Sequence, residues 1–264
     1  MKGYIITAFL LSALFYSCKK IVTLKLNTAP SQIVIQGAVT NAAGPYTVAI
    51  NQSVGFYADN SFPPVSGAIV VISDDQGVAD SLTETSPGIY SSHVLQGQPG
   101  HGYTLNVFTQ NKNYTAFSFM PQPVLLDSVT FKSSSGFGQH QIDAVVNFQD
   151  PAGLQNDYQF EEYINGTLFT KNFFVFSDRL SDEKYLSLSL RTDSNYLNQG
   201  DQVDVKMYCI DSSAYNYLFQ LDQTTGGGTF NTNASPANPS TNISNGALGY
   251  FSAQTTQFKT AVVP

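Results

Sequence analysis

Cys18 follows a cationic start at Lys2, an apolar stretch from Tyr4 to Tyr16, and the small residue Ser17. That order is the order of a secretory signal. A cysteine at its end adds a specific chemistry: the thiol receives a diacylglycerol, and the chain is cut before it so that Cys18 becomes the first residue. Phe15 and Tyr16 depart from the Leu and small residue usual at those positions, whereas Ser17 fits. The apolar stretch is shorter than the roughly 20 residues of a permanent membrane helix, so removal of residues 1–17 is expected. Two or three acyl chains, at about 0.8 kcal/mol per buried methylene, hold a protein stably on a bilayer. The expected partner of Cys18 is therefore a membrane, through a palmitate-type lipid anchor. The competing reading is a plain signal peptide with an incidental cysteine.

Other chemistry-bearing residues form no recognisable constellation. His93, His101 and His140 are isolated in sequence and lack the His-Glu-x-x-His spacing of a catalytic zinc site. Asp74-Asp75 could offer oxygens to calcium, but tight-turn chemistry explains the pair better. Glu161 and Glu162 could act as a carboxylate pair, yet adjacent residues on a strand point to opposite faces. There is no Gly-x-Ser-x-Gly elbow for a serine nucleophile. No cofactor or metal is expected. With Cys18 lipidated, only Cys209 remains, so there is no internal disulfide and the core must stabilise the fold.

Charged residues make up 12% of the chain and the net charge is -7, which argues against binding nucleic acid by neutralising phosphates. It argues equally against a polybasic membrane contact beyond Lys19 and Lys20. Tyr and Phe are abundant, and the absence of Trp speaks against sugar binding by aromatic stacking. Many β-prone residues separated by polar turn residues indicate an extracytoplasmic β protein.

The elements that would position any site are mainly strands. Runs at Ile33–Val39, Tyr46–Gln52, Gly67–Ser73, Val78–Thr83, Gly88–Ser92, Tyr103–Thr109 and Asn113–Phe119 match the strand count of an immunoglobulin-like sandwich over 33–120. Asp74–Gly77 and Gln110–Asn113 read as hairpin tips. Met120-Pro121-Gln122-Pro123 resists helix and central strand and marks a domain boundary. Residues 124–264 form a second β domain, with strands at Val124–Phe131, Gln141–Phe148, Tyr158–Ile164, Leu168–Phe176, Tyr185–Arg191, Gln202–Ile210, Ala247–Ala253 and Phe258–Val263. Asn165-Gly166 is a strong hairpin signal. In the Gln202–Ile210 run, Val203, Val205, Met207 and Cys209 alternate with polar residues, which makes Cys209 a packed core thiol. A helix near 212–224 is predicted from Asp211 or Ser212 as cap and from Ala214, Tyr217, Leu218 and Leu221 at helical spacing. The fold class is thus mainly β: two sandwich-like domains, the second carrying one helix, preceded by an anchor and linker at 18–32. The polar loop 226–246 is long for a compact domain, and the favoured reading is that Asn242, Asn245 and Gly246 shape the turn into the strand at Ala247.

Asn238-Pro239-Ser240-Thr241-Asn242-Ile243-Ser244-Asn245-Gly246-Ala247-Leu248-Gly249-Tyr250-Phe251 resembles the C-terminal signature of the Bacteroidota lipoprotein family catalogued as domain of unknown function 4249. Further pieces occur in the family's order: Gly44-Pro45-Tyr46 with Val48, Pro64-Val65 with Gly67-Ala68, Gly88-Ile89-Tyr90, Leu126-Asp127-Ser128, Asp150-Pro151, and the Tyr215 and Tyr217 pair. The resemblance covers nearly the whole mature chain. It implies an outer-membrane lipoprotein, often encoded beside a TonB-dependent receptor, and it brings no enzymatic residues to transfer. The first domain is also similar to the carboxypeptidase-regulatory type of sandwich, through Pro64-Val65, Gly67-Ala68, Val70 and Gly77.

Asp80-Ser81-Leu82 and Asp127-Ser128-Val129 resemble the short acceptor motif for O-linked glycans on envelope proteins of that bacterial group, which would place modifications on Ser81 and Ser128. Surface-export signals in these lipoproteins tend to put acidic residues just after the lipidated cysteine, whereas Cys18 is followed by Lys19, Lys20 and Ile21. The expectation is a non-enzymatic outer-membrane lipoprotein that serves as accessory or ligand-capture partner of a TonB-dependent receptor. The alternatives are a surface adhesin or structural protein, and a hydrolase whose site forms only in three dimensions.

Overall fold

The structure, a computed structural model, describes residues 30–55, 58, 61–136, 139–153, 155–190, 197–225 and 238–264. Among these residues it is mainly β with one helix, as its composition and patterning predict. Strands β1 (Ile33–Thr40), β2 (Thr47–Gln52), β3 (Ile69–Asp74), β4 (Ala79–Ser86), β5 (Ile89–Ser91), β6 (Gly102–Thr109) and β7 (Lys112–Phe119) precede Pro121. After it come β8 (Leu126–Gly136), β9 (Gln139–Gln149), β10 (Asp157–Ile164), β11 (Thr167–Ser177), β12 (Tyr185–Leu190), β13 (Gln202–Ile210), helix α1 (Ser212–Thr225) and β14 (Leu248–Val262).

The turns follow the residues. Gln110 and Asn111, both with positive φ, connect β6 to β7, and Asn165 with Gly166 does the same between β10 and β11. Two consecutive positive φ values define the type I′ turn, whose twist matches that of the flanking strands. Asp211 rather than Ser212 caps α1: its Oδ1 accepts the Ala214 amide at 2.8 Å, satisfying one of the free donors of the first turn. The same carboxylate accepts the Ser118 hydroxyl and the Phe119 amide, tying the helix start to β7. Ala214, Tyr217 and Leu218 are buried against Tyr208 and Ile210, with Leu221 packed beside them, so the predicted helical stripe is the face that docks on the sheet.

One feature departs from the sequence expectation. The two runs read as separate strands, Ala247–Ala253 and Phe258–Val263, are a single 15-residue strand, β14. The polar stretch Gln254-Thr255-Thr256-Gln257 looks like a break in sequence, but its backbone is fully engaged. Up to Gln254, β14 pairs in parallel with β1; from Thr255 on, it pairs antiparallel with β13. The strand therefore changes partner at a single peptide, and Asn41 Oδ1 accepts the Thr256 amide at 2.8 Å just past that point. The consequence is one eleven-stranded mixed sheet, ordered β11-β10-β13-β14-β1-β2-β5-β4-β3-β6-β7, with a separate three-stranded sheet, β12-β9-β8.

Two apolar cores lie on either side of this strand. The first gathers residues of β1 to β7 with Ile243, Ala247, Phe251 and Ala253 from the C-terminal end of the chain. The second gathers Val146 and Phe148 of β9, Tyr158 and Phe160 of β10, and Val203, Val205, Met207 and Cys209 of β13. Cys209 is a buried free thiol in this second core, as its alternation implies.

The parallel joint between β1 and β14 demands glycine at 249. Its φ is +94°, and a Cβ there would stand 1.9 Å from the Ile35 carbonyl oxygen, so a side chain would be strained both in its backbone and against β1. Gly249→Ala is expected to cost about 3 kcal/mol or more, the range of severe backbone and overpacking lesions, read as a shift in urea midpoint. Gly153→Ala, at a positive φ with open space around it, is expected to cost no more than about 1 kcal/mol.

Candidate functional site

Acidic side chains converge where β9 and β11 end and β10 begins. Asp150, Asp178 and Asp182 each bring a carboxylate oxygen within 4.8 Å of the others, and among the described residues this is the one group of three potential metal ligands. Asp150 and Asp178 are buried and Asp182 is exposed. An oxygen-only set of this kind matches the preference of hard cations. The oxygens nevertheless have protein donors. Asp150 accepts the Tyr158 hydroxyl and, at 3.3 Å, the Glu183 amide. Asp178 accepts from Asn156 Nδ2 at 3.4 Å, and Asp182 accepts the Gly153 amide at 3.0 Å. Burial pushes the Asp150 carboxyl above its ordinary value, the Tyr158 hydroxyl works in the opposite direction, and the neighbouring Asp178 adds to the rise. The cluster thus cross-links chain segments around Asp150, Tyr158 and Asp182 through these hydrogen bonds.

Two further acidic residues lie inside the protein on neighbouring elements. Glu162 of β10 and Asp143 of β9 are both buried. Burial, then the charge of Asp143, raise Glu162 from its ordinary 4.5 to about 7. Glu161 points to the other face, where its Oε2 accepts the Tyr163 and Tyr208 hydroxyls, each at 2.9 Å. The two adjacent glutamates therefore serve separate sites, as the period of a strand requires.

The remaining sequence-selected residues fall into structural roles or outside the described residues. Cys18 lies outside them, as do residues 226–237 of the long loop. Asp74 Oδ1 accepts the Gln76 and Val78 amides of its own turn at 3.0 and 2.8 Å. Asp75 accepts from the Gly102 amide at 2.9 Å and pairs with His101 Nδ1 at 2.8 Å, which together hold its carboxyl down at about 2. His93 Nε2 meets Thr83 Oγ1 at 2.8 Å, and His140 falls on β9. His93 and His101 thus have different partners. Ser81 is exposed on β4, next to a buried Asp80 whose Oδ2 accepts three consecutive amides, those of His93, Val94 and Leu95. Ser128 is half-buried on β8, and its hydroxyl accepts from Asn147 Nδ2 at 3.3 Å.

The segment from Thr241 to Asn245 closes the outer edge of β7. Asn242 behaves like an extra length of strand, its Oδ1 taking the Phe251 amide at 3.0 Å while its Nδ2 donates to the carbonyls of Phe251 at 2.7 Å and Phe117 at 3.2 Å. Ser244 exchanges backbone and hydroxyl hydrogen bonds with Thr115, and Asn245 Nδ2 donates to the Asn113 carbonyl. This goes beyond turn shaping: the segment satisfies an edge that would otherwise present open backbone groups.

A family model matches residues 19–260, from the segment after Cys18 to near the end of β14. The chain belongs to the family described as domain of unknown function DUF4249. No curated protein matches it. Several residues of the pieces that resemble the family make structural hydrogen bonds. The Tyr46 hydroxyl donates to the carbonyls of Thr40 and Ala42 and accepts the Gly97 amide. The Tyr90 hydroxyl donates to Val65 and accepts from Ala68, joining two pieces of the pattern. Asp150 belongs to the acidic cross-link, and Asn242 to the edge closure. Sequence reasoning singled out Asp150 and Glu162 but missed Asp178, Asp182, Tyr158 and Asp143. These come from different elements, and no spacing along the chain announces that they meet.

Glu162 makes stability fall as pH rises. The folded chain holds that proton more tightly than the unfolded chain, so the contribution is complete below pH 4.5, declines between 4.5 and 7, and is absent above 7. Glu162→Gln should flatten this slope and exceed the parent in stability above pH 7 by about 1 to 3 kcal/mol, as measured by urea denaturation across pH. Tyr158→Phe, which removes the buried donor to Asp150, should cost about 1 to 3 kcal/mol in the same assay at pH 7.

Proposed function

We propose that the chain is a non-enzymatic lipoprotein of the outer membrane, anchored at Cys18, that acts as an accessory or ligand-capture partner of a TonB-dependent receptor. The observation that carries this reading is the N-terminal order of Lys2, the Tyr4–Tyr16 apolar stretch, Ser17 and Cys18. Membership of the family supports it, because the resembling lipoproteins are often encoded beside such receptors. That support is an analogy of context rather than of chemistry. Residues 18–32 are read from the sequence as anchor and linker ahead of β1.

In this reading the first core is an immunoglobulin-like sandwich and the second a β-sandwich bearing α1, the two sharing β14. The outer face of β3, β6 and β7 supports a contact role. Ile69 and Phe108 are cross-strand partners, and Phe117 and Phe119 lie on the same outward face; all four are exposed, Ile69 at 63% and Phe117 at 57%. The two exposed apolar pairs are separated on this face by the polar Asn106 and Thr115, and exposed apolar groups set among polar ones favour contact with a partner.

A Cys18→Ala variant should lose labelling by a fatty-acid probe, and persistent labelling would refute the anchor. Purification in mild detergent at native expression should recover the receptor with the parent and less of it with Phe117→Asp. Recovery of the protein alone would count against the partnership.

A further inference from the structure

The first lobe carries a shallow cavity of about 290 Å³ at one end of its strands, where the start of β1, the end of β2, the β6–β7 hairpin and the Asn245-Gly246 turn meet. Its wall is amide-rich, with Gln32, Gln52, Gln110 and Asn245, and it also includes Lys112 and Tyr114. No carboxylate lines it. The frame is built from its own hydrogen bonds. Gln32 Nε2 donates to the Gly246 carbonyl at 3.1 Å, Asn245 Nδ2 donates to the Asn113 carbonyl, and the Gln32 amide is held by Ser53 Oγ at 2.9 Å. The side chains of Gln52, Gln110 and Lys112, by contrast, have no partner among the described residues, and the Tyr114 ring is buried beside them.

These groups define what the cavity can take. A ligand without polar groups would leave several amides desolvated and unpaired, at a cost that outweighs its own burial. A metal or an ammonium would find no anionic group. Carboxamides offer a donor and an acceptor side by side, which suits vicinal hydroxyls, and the ammonium of Lys112 favours an acidic substituent on the same ligand. The volume lies at the small end of ligand sites and suits one ring rather than a chain. The chemistry is hydrogen bonding at the rim of a ring, which needs no Trp stacking platform.

We infer that this cavity binds a monosaccharide-sized, hydroxyl-rich ligand bearing an acidic group, of the sugar-acid class. The site is independent of the anchor and of any receptor partnership. The test uses the detergent-solubilised full chain, with D-glucuronate as probe, D-glucose as its uncharged counterpart, and acetate as the charge alone. Binding is followed by the side-chain amide resonances of the cavity and by calorimetry. Saturable binding of glucuronate, at least about tenfold tighter than glucose or acetate and weakened about tenfold by Lys112→Met and by Gln52→Ala, is the expected result. Both positions lie at strand ends with free side chains, and unchanged melting curves of the variants would show that the fold persists. Absence of saturable amide shifts with glucuronate, equal binding of glucuronate and glucose, or binding insensitive to both substitutions would each overturn the inference.

Discussion

The partner change of β14 is the constraint on which the rest of the molecule depends. A strand has two edges and a finite length; here one half of that length completes the ladder of β1 and the other half completes the ladder of β13. Either half alone would leave a row of unpaired backbone donors and acceptors inside the protein, a costly state. The two cores are therefore coupled through a covalent segment, to which side chains such as Asp211 on Ser118 and Asn41 on Thr256 add. Gly249 makes the junction possible, since β14 approaches Ile35 more closely than any Cβ allows.

The segment just before β14 extends this logic. Thr241, Asn242, Ser244 and Asn245 spend their side-chain polar atoms on the backbone of β7 and of β14 itself. On the inner side of β7, Ser118 donates to Asp211 and accepts the Ala253 amide at 2.8 Å. Strand β7, the helix cap and β14 thus form one hydrogen-bonded unit. The stretch Thr241 to Asn245 takes part in edge closure, Tyr46 and Tyr90 in buried hydroxyl bonds, and Asp150 in the acidic cross-link.

Much of the local structure was legible in the chain. The alternation of Val203, Val205, Met207 and Cys209, the Asn165-Gly166 turn and the helical stripe through Ala214 and Leu218 each follow from the period of their element. The reading of β14 as two strands failed because Gln254 to Gln257 look like a turn by polarity, whereas their backbones sit at a handover between two partners. Polarity along the chain reports burial of side chains and carries no record of which strand lies alongside. The acidic groupings were illegible for the same reason: the Asp150 and Tyr158 segment is distant in sequence from Asp178 and Asp182, and the two meet because β9 and β11 end where β10 begins.

By itself, the sequence determined the class of the fold, the positions of most strands, the single helix, the core placement of Cys209 and membership of the family pattern. These depend on side-chain periodicity and on turn residues, which act over a few neighbours. Only the tertiary structure decided that the two halves share one strand, that Asn242 and Asn245 close an edge, that the charge of Asp143 reaches the buried Glu162, and that Gln52, Gln110 and Lys112 line one cavity. Those relations arise from pairing between segments far apart in the chain, where the determining quantity is mutual satisfaction of backbone and buried polar groups rather than any local preference.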